Sequence, residues 1–226
     1  DSLNTGATVV LNFDQDRANI THAGAMDHLT IDDIGPDKFK GCKHLHFSSY
    51  FLQTGLKKDI ARLFSEAKKA GLTTSFDVQW DPWEKWDLDL KNVLPYVDVF
   101  LPNEKELMKL TGRNTLESAI DSIKGFANTI VVKLGSKGSA SYHKGQLVTI
   151  PAFINEQVVD AIGAGDSFNA GFVYKFIQGA PIETCQQYGN LMGAISTTAA
   201  GGTAAFTDKK NIMKNSSSRR SFLTKS

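Results

Sequence analysis

Short runs of apolar residues alternate with helical patterns along most of this chain. Four runs predict buried strands, at 44–49, 73–78, 97–103 and 129–135. Between them, apolar residues at helical spacing predict helices at 56–71, 104–112 and 115–127. Continuous apolar strands that alternate with helices are typical of a parallel sheet with helices on both faces. This order therefore predicts an α/β fold with a mainly parallel sheet.

The remaining segments predict two hairpins and two further helices. One hairpin pairs 7–13 with 18–24, and the other spans 138–153 and turns at Lys144–Gly145. The two helices run from about 164 to 178 and from 183 to 200, and Thr30 begins another before Asp32 and Asp33. Asp77, Asn103 and Gly135 each lie at the C-terminal end of a predicted strand, at the sheet edge where α/β folds bind ligands.

Composition is that of an ordinary globular protein. The 226 residues are 41% hydrophobic and 22% charged, which suffices for one good-sized core or two small ones. No apolar run approaches the roughly 20 residues that a membrane helix needs. The cysteines, Cys42 and Cys185, lie far apart and predict two buried thiols in a reducing cytoplasm.

Charge is unevenly distributed along the chain. The net charge is +1, but six basic residues and no acids follow position 208, so residues 1–208 carry a net −5. An acidic body argues against nucleic acid and membrane as partners. The basic segment 209–226 is typical of a flexible, solvated tail.

The most informative motif is "DAIGAGDSFNAGF" at 160–172. Amides at a helix start bind anions, and the backbone of Gly163, Ala164 and Gly165 can approach phosphate oxygens closely. Asp166 beside that site can accept the proton of an alcohol that attacks the phosphate. The alternative is a glycine-rich turn with Asp166 as a capping acid, and the residues alone leave both interpretations open.

This motif resembles the C-terminal signature of the PfkB, or ribokinase-like, carbohydrate kinases, D-T-x-G-A-G-D-x-F-x-x-G. Ala161 departs from the usual small hydroxyl residue. The matching positions are Asp160, Gly163, Ala164, Gly165, Asp166, Phe168 and Gly171. The resemblance implies a three-layer α/β sandwich with a small β lid, ATP as phosphate donor, and Asp166 as the catalytic base.

Other segments resemble the magnesium and nucleotide elements of the same family. "LPNEKEL" resembles the N-x-x-E element and implies that Asn103 and Glu106 position Mg²⁺ through water. Alone, the pair favours a capping box, and the functional interpretation is preferred because the Gly163–Asp166 motif follows in the order of the family. "VVKLGSKGS" resembles the segment beside the nucleotide, although its glycines also suit an ordinary turn. "YGNLMGAISTTAAGG" resembles the helix and loop that flank the adenine. The implied nucleotide contacts are Lys133, Gly135 and Gly138 from the first segment and Asn190 from the second. A K⁺ ion near 160–162 is common in the family.

The acceptor side matches less well. The segments at 5–13 and 18–30 resemble lid strands, which implies a homodimer through the lid, but Met26 stands where many members have asparagine. "SFDVQWDPWEKW" resembles D-x-N-x-R-x-x-x-W, with Asp77 matching and with Gln79 and Asp81 in place of Asn and Arg. Three tryptophans in this stretch can stack on a sugar or pack against the loop, and packing is the favoured interpretation.

The family pattern also predicts that about ninety residues, with the first strands of the sheet, precede this chain. We expect a partial lid at 1–29, a nucleotide-binding core at 30–208 and the tail at 209–226. The implied function is ATP-dependent phosphorylation of a sugar or sugar-acid hydroxyl, of the fructokinase, ribokinase or ketodeoxygluconate-kinase type. Because phosphoryl transfer depends on positioning, we expect the absence of those ninety residues to cost most of the rate. The alternatives are a nucleoside kinase of the same fold and an inactive relative that binds nucleotide or a partner.

Overall fold

The computed structural model describes residues 3–13, 16–153, 155 and 158–207. The predicted tail therefore lies outside the described residues. Two compact units divide at the Asp98–Val99 bond. The hairpin expected at 1–29 lies within the first unit. None of the helices in the described part of the chain has the length and apolar character needed to cross a bilayer.

The first unit contains a hairpin and a parallel strand pair. Strands β1 (Ala7–Phe13) and β2 (Asp16–His22) pair antiparallel, as the sequence predicts. Strands β3 (His44–Ser48) and β4 (Thr73–Asp77) pair in parallel, with His44 opposite Thr73. Helix α1 (Ile60–Lys69) connects them, and the short helix α2 (Leu90–Val93) follows β4.

Aromatic and aliphatic side chains form the core of the first unit. Helix α1 buries one face because its apolar residues recur every three or four positions: Ile60, Leu63, Phe64 and Ala67. The ring of Phe76 on β4 lies 5.3 Å from Phe64 and 6.0 Å from Phe47. These contacts attach α1 to the strand pair.

Three local expectations in this unit differ from the structure. Strand β3 is only half covered, with Phe47 buried and His46 exposed, because its polar and apolar residues alternate. Thr30 and Asp33 form a capping box around a single 3₁₀ turn, Ile31–Asp33, where the sequence predicts a full helix. Cys42 is exposed; only Cys185 is buried.

The second unit combines parallel and antiparallel pairing. Strand β5 (Val99–Phe100) pairs in parallel with β6 (Thr129–Lys133). Strand β6 pairs antiparallel with β7 (Ser139–His143), and β7 pairs antiparallel with β8 (Gln146–Ile150). Only two residues of the strand predicted at 97–103 are extended in the ladder. The helices are α3 (Glu104–Thr111), α4 (Leu116–Ile123), α5 (Ala164–Phe176) and α6 (Ile182–Ser196).

Helices α5 and α6 pack closely because each presents a glycine to the other. A Cβ on Gly171 would lie 2.6 Å from Met192 Cγ, and one on Gly189 would lie 2.8 Å from Phe168 Cε2. Phe168 and Phe172 of α5 also belong to a buried cluster with Val131 of β6. The N-terminus of α5 is thereby fixed to a rigid core.

Candidate active site

Helix α5 begins at a glycine in the left-handed region. Gly163 is the N-cap with φ +73°, and its carbonyl oxygen accepts the first helical hydrogen bond, from Ser167 N–H at 2.8 Å. A Cβ at position 163 would lie 2.5 Å from Gly202 Cα, so both the dihedral angle and the packing require glycine. Asp166 lies in the first turn, where it is exposed to solvent.

The loop that leads into this turn is held by Asp160. Its Oδ1 accepts the N–H of Ile162 at 2.9 Å, and its Oδ2 accepts the N–H of Gly201 at 2.8 Å. Val159 N–H also donates to Thr197 O at 2.9 Å. The carboxylate thus ties the loop to the segment that follows α6. K⁺ binding near 160–162 stays a prediction.

The backbone amides differ in what they can bind. Ala164 N–H donates to Ala161 O at 3.3 Å and closes the turn. Gly165 and Asp166 occupy the second and third helical positions, whose N–H groups have no acceptor within an α-helix and point beyond its N-terminus. Together with the helix dipole, these two amides form an anion-binding position.

Lys133 connects this turn to the element that contains Asn103. Its backbone N–H donates to Pro102 O at 2.9 Å, and the residue forms an isolated parallel bridge with Asn103. Its Nζ lies 3.4 Å from Asn169 Oδ1, on helix α5. Sequence reasoning missed Asn169. The available signal was a polar residue on the otherwise apolar face that carries Phe168 and Phe172.

Asn103 and Glu106 form a reciprocal capping box at the start of α3. Asn103 Oδ1 accepts Glu106 N–H at 2.9 Å, and Glu106 Oε2 accepts Asn103 N–H at 2.8 Å. The structural interpretation of this motif is therefore confirmed. The capping box is compatible with a role in Mg²⁺ binding, because an ionised carboxylate has about four lone-pair positions and the bond from Asn103 N–H occupies one of them.

These oxygen donors suit Mg²⁺. Within the described residues, no group of three or more His, Cys, Asp or Glu side chains is placed to hold a metal ion. Mg²⁺ needs no such group, since it keeps several waters and takes its other oxygens from phosphates. One nearly buried carboxylate, that of Glu106 (5% exposed), fits an ion bound through water.

The other residues predicted to contact the nucleotide lie after β6 and on α6. Gly135 (φ +59°) and Gly138 (φ +104°) bracket a 3₁₀ turn after β6. A Cβ on Gly138 would lie 2.6 Å from Ala152 N. Asn190 Nδ2 donates hydrogen bonds to the same segment, to Ile150 O at 3.2 Å and to Pro151 O at 3.1 Å. The segment 150–152 therefore holds Gly138 and Asn190 in place, and their contact with nucleotide stays a prediction.

In the first unit, the substituted sugar-side motif stabilises its own loop. Asp77, 1% exposed, ends β4 and accepts Gln79 N–H at 3.2 Å. Asp81 is equally buried. It accepts three backbone N–H groups, from Trp83 at 3.0 Å, Lys85 at 2.8 Å and Trp86 at 2.7 Å. Asp81 is thus a loop-closing residue, in a position where the family motif has a cationic Arg.

The tryptophans and the strand histidines also make internal contacts. Trp86 packs edge to face against Trp80 at 4.9 Å and against Phe51 at 5.5 Å, whereas Trp83 remains 55% exposed. His44 and His46 both bond to Ser75 Oγ, at 2.7 Å each. Burial, with a smaller contribution from His46, lowers the pKa of His44 to about 4.

Comparison with known proteins identifies the family. The family model described as pfkB family carbohydrate kinase matches residues 2–209 of this chain. The chain belongs to the pfkB family. The resemblance carried by the Gly163–Asp166 motif is confirmed, and the relatives of this chain include proteins named as sugar kinases.

Individual relatives are similar over part of their length. An uncharacterized sugar kinase of Archaeoglobus fulgidus is 30% identical over 193 residues, which cover 83% of this chain and 74% of that protein. A 2-dehydro-3-deoxygalactonokinase of Haloferax volcanii is 33% identical over 69% of this chain and 51% of its own. This pfkB chain thus spans about half the length of the second relative.

Solved structures show the same fold. A putative ribokinase II from E. coli, in complex with ATP and Mg²⁺, superposes with a TM-score of 0.81. The match covers 96% of this pfkB chain and 72% of that one, at 24% identity. The expected ribokinase-like α/β fold is therefore confirmed.

Proposed function

We propose that this chain takes part in the ATP- and Mg²⁺-dependent phosphorylation of a sugar or sugar-acid hydroxyl in the cytoplasm. One observation carries the proposal: α5 begins at a left-handed glycine that presents the Gly165 and Asp166 amides and the Asp166 carboxylate at one exposed position. An anion site beside a general base is the arrangement that phosphoryl transfer to an alcohol requires.

The base and the anion site divide the work. The attacking hydroxyl gives its proton to the Asp166 carboxylate as its oxygen bonds to phosphorus. The leaving ADP oxygen takes the bonding electrons. The Gly165 and Asp166 amides stabilise the charge on the transferred group, because fixed dipoles need no reorganisation during the reaction. Gly163 and Ala164 set the turn that orients those amides.

The remaining candidate residues position the nucleotide. Asn103 and Glu106 would hold Mg²⁺ through water, and the ion would neutralise phosphate charge. Lys133, Gly135 and Gly138 flank ATP, and Asn190 maintains the adenine side through its bonds to Ile150 and Pro151. A K⁺ ion near 160–162 would add positive charge close to the anion site.

The hairpin of the first unit supports a homodimer. Val9 and Ile20 are opposite one another in the β1–β2 register and are 57% and 62% exposed. Leu11 on the same face is 40% exposed. Val10, on the opposite face, is 41% exposed, but the two most exposed of the hairpin's described apolar side chains, Val9 and Ile20, share one face. A second hairpin provides a matching surface that would cover that face.

The decisive experiment measures ADP release from the purified chain with Mg²⁺ and either K⁺ or Na⁺. The acceptors are ribose, fructose, 2-dehydro-3-deoxygluconate, tagatose phosphate and adenosine. Asp166→Asn is compared with Glu117→Gln, which removes an acid from the first turn of α4 instead. We expect acceptor-dependent ADP release that Asp166→Asn reduces by at least about a hundredfold and Glu117→Gln leaves unchanged.

The other outcomes distinguish the alternatives. Release with adenosine alone would identify a nucleoside kinase. ATP binding without transfer to any acceptor would identify a nucleotide-binding relative, or a chain whose acceptor side is incomplete. Normal turnover in Asp166→Asn would remove Asp166 from the role of base.

A further inference from the structure

Lys133 directs its ammonium group toward the first turn of α5. The residue ends β6, and its backbone is fixed by the bond from its N–H to Pro102 O and by the bridge with Asn103. A Cβ built on Gly165 would lie 3.8 Å from Lys133 Nζ and 3.9 Å from its Cδ. The lysine side chain therefore passes beside Gly165, one of the two residues whose amides form the anion position.

Asn169 holds the ammonium at that point. Positions 165 and 169 are four residues apart and share one face of α5. Asn169 is 3% exposed, and its Oδ1 accepts from Lys133 Nζ at 3.4 Å. Because an amide is neutral, this hydrogen bond orients the lysine without adding negative charge next to the anion position.

The two features combine an oriented cation with two oriented amides. An ammonium group beside Gly165, close to amide N–H groups that point beyond the helix N-terminus, favours a compact, multiply charged anion such as a terminal phosphate. The adenine and ribose of a nucleotide offer no comparable charge. A lysine fixed beside Gly165 is therefore placed to act on the phosphate that is transferred.

We propose that Lys133 contacts the γ-phosphoryl group of ATP and that Asn169 is the positioning residue for its ammonium. This inference rests on the proposed function, which already places ATP at this site. It is more specific, because it assigns Lys133 to the transferred phosphate and gives a role to Asn169.

The test compares ATP with ADP in calorimetric titrations of the full chain in Mg²⁺. Lys133→Met removes the charge and keeps the length of the side chain. We expect it to weaken ATP binding at least about tenfold and ADP binding less than about threefold, since a charged hydrogen bond to the γ-phosphate is lost. The matched control is Lys144→Met, at an exposed lysine in the turn between β7 and β8, which should change neither affinity.

Asn169→Ser and Asn169→Asp test the positioning role. The serine variant should weaken ATP binding selectively, by a smaller factor, and the aspartate variant should approach Lys133→Met because it neutralises the ammonium. If Asn169 acts through Lys133, the double variant Asn169→Ser with Lys133→Met should bind ATP as Lys133→Met does. A purely structural role would instead make the two effects add.

Three results would overturn the inference. Equal losses for ATP and ADP in Lys133→Met would place the lysine away from the γ-phosphate. Additive effects in the double variant would remove Asn169 from the positioning role. In either case the proposed function would stand as long as the wild-type chain binds ATP. A wild-type chain that binds neither ATP nor ADP would overturn the inference and the proposed function together.

Discussion

At the scale of single residues, Asn103 and Thr115 each cap a helix through a side-chain oxygen. Thr115 caps α4 through its Oγ1, which accepts Ser118 N–H at 3.2 Å, as Asn103 caps α3. We predict that Asn103→Ala and Thr115→Ala each lower the free energy of unfolding by about 1 kcal/mol. Only Asn103→Ala should also weaken Mg²⁺-dependent ATP binding, by about tenfold.

Urea denaturation and calorimetric titration with and without Mg²⁺ measure these two effects separately. If Asn103→Ala loses stability alone, the motif is a cap with no part in metal binding. The comparison separates the two interpretations that the sequence "LPNEKEL" leaves open.

A second prediction at residue scale concerns His44 and acid stability. The pKa of His44 is lowered from 6.5 to about 4 by burial and by His46. Between those pH values the unfolded chain binds more protons than the folded one, so acidification favours unfolding. We expect the melting temperature to fall as pH is lowered from 6.5 toward 4, and to fall less in His44→Gln.

His28→Gln is the control, because the His28 side chain is 62% exposed. Part of the fall will remain in His44→Gln, since burial also lowers the pKa of His143. Melting curves at several pH values measure the difference. An unchanged pH dependence in His44→Gln would show that other groups control acid unfolding.

At the scale of elements, glycines near the two ends of α5 permit a matched test of the turn that begins at Gly163. Gly163 and Gly179 have nearly the same φ, +73° and +75°, but a Cβ on Gly179 meets nothing within 4 Å. We predict that Gly179→Ala costs about 1–2 kcal/mol from the left-handed backbone alone. Gly163→Ala should cost about 1–3 kcal/mol more than Gly179→Ala, because its Cβ overlaps with Gly202.

Gly163→Ala should also abolish ATP binding, whereas Gly179→Ala should leave it unchanged, because only the first moves the amides of Gly165 and Asp166. Urea titration and calorimetry measure both. Equal loss of stability in the two variants would mean that Gly202 moves aside without cost.

The sequence predicts long elements better than short ones. Helix α1 follows from apolar spacing over ten residues, and the sequence predicts α5 and α6 as long segments rich in small residues. The Lys144–Gly145 turn follows from its residue types. The strand predicted at 97–103 is too long, because apolar composition does not reveal where ladder pairing ends. The Lys133–Asn169 contact spans 36 residues, so no local pattern could predict it.

At the scale of the whole molecule, the exposed apolar face of the hairpin predicts the oligomeric state. Side chains alternate along a strand, so Val9 and Ile20 share one face and Thr8 and Thr21 share the other. We predict a dimer that Val9→Lys with Ile20→Lys converts to a monomer. Thr8→Lys with Thr21→Lys changes the opposite face and should leave the dimer intact.

Light scattering coupled to size-exclusion chromatography gives the mass directly. The threonine pair is a demanding control, because its own side-chain hydrogen bond of 3.0 Å is lost in the variant. A wild-type chain that elutes as a monomer would exclude the hairpin as a dimer interface under those conditions.

The candidate phosphate residues, from Asn103 to Asn190, all belong to one contiguous stretch of chain after Asp98. Genetic recombination acts on contiguous stretches, so such a gene can inherit its phosphate chemistry as a block while the preceding segment diverges. New substrate preferences can then evolve without reinventing the catalytic step.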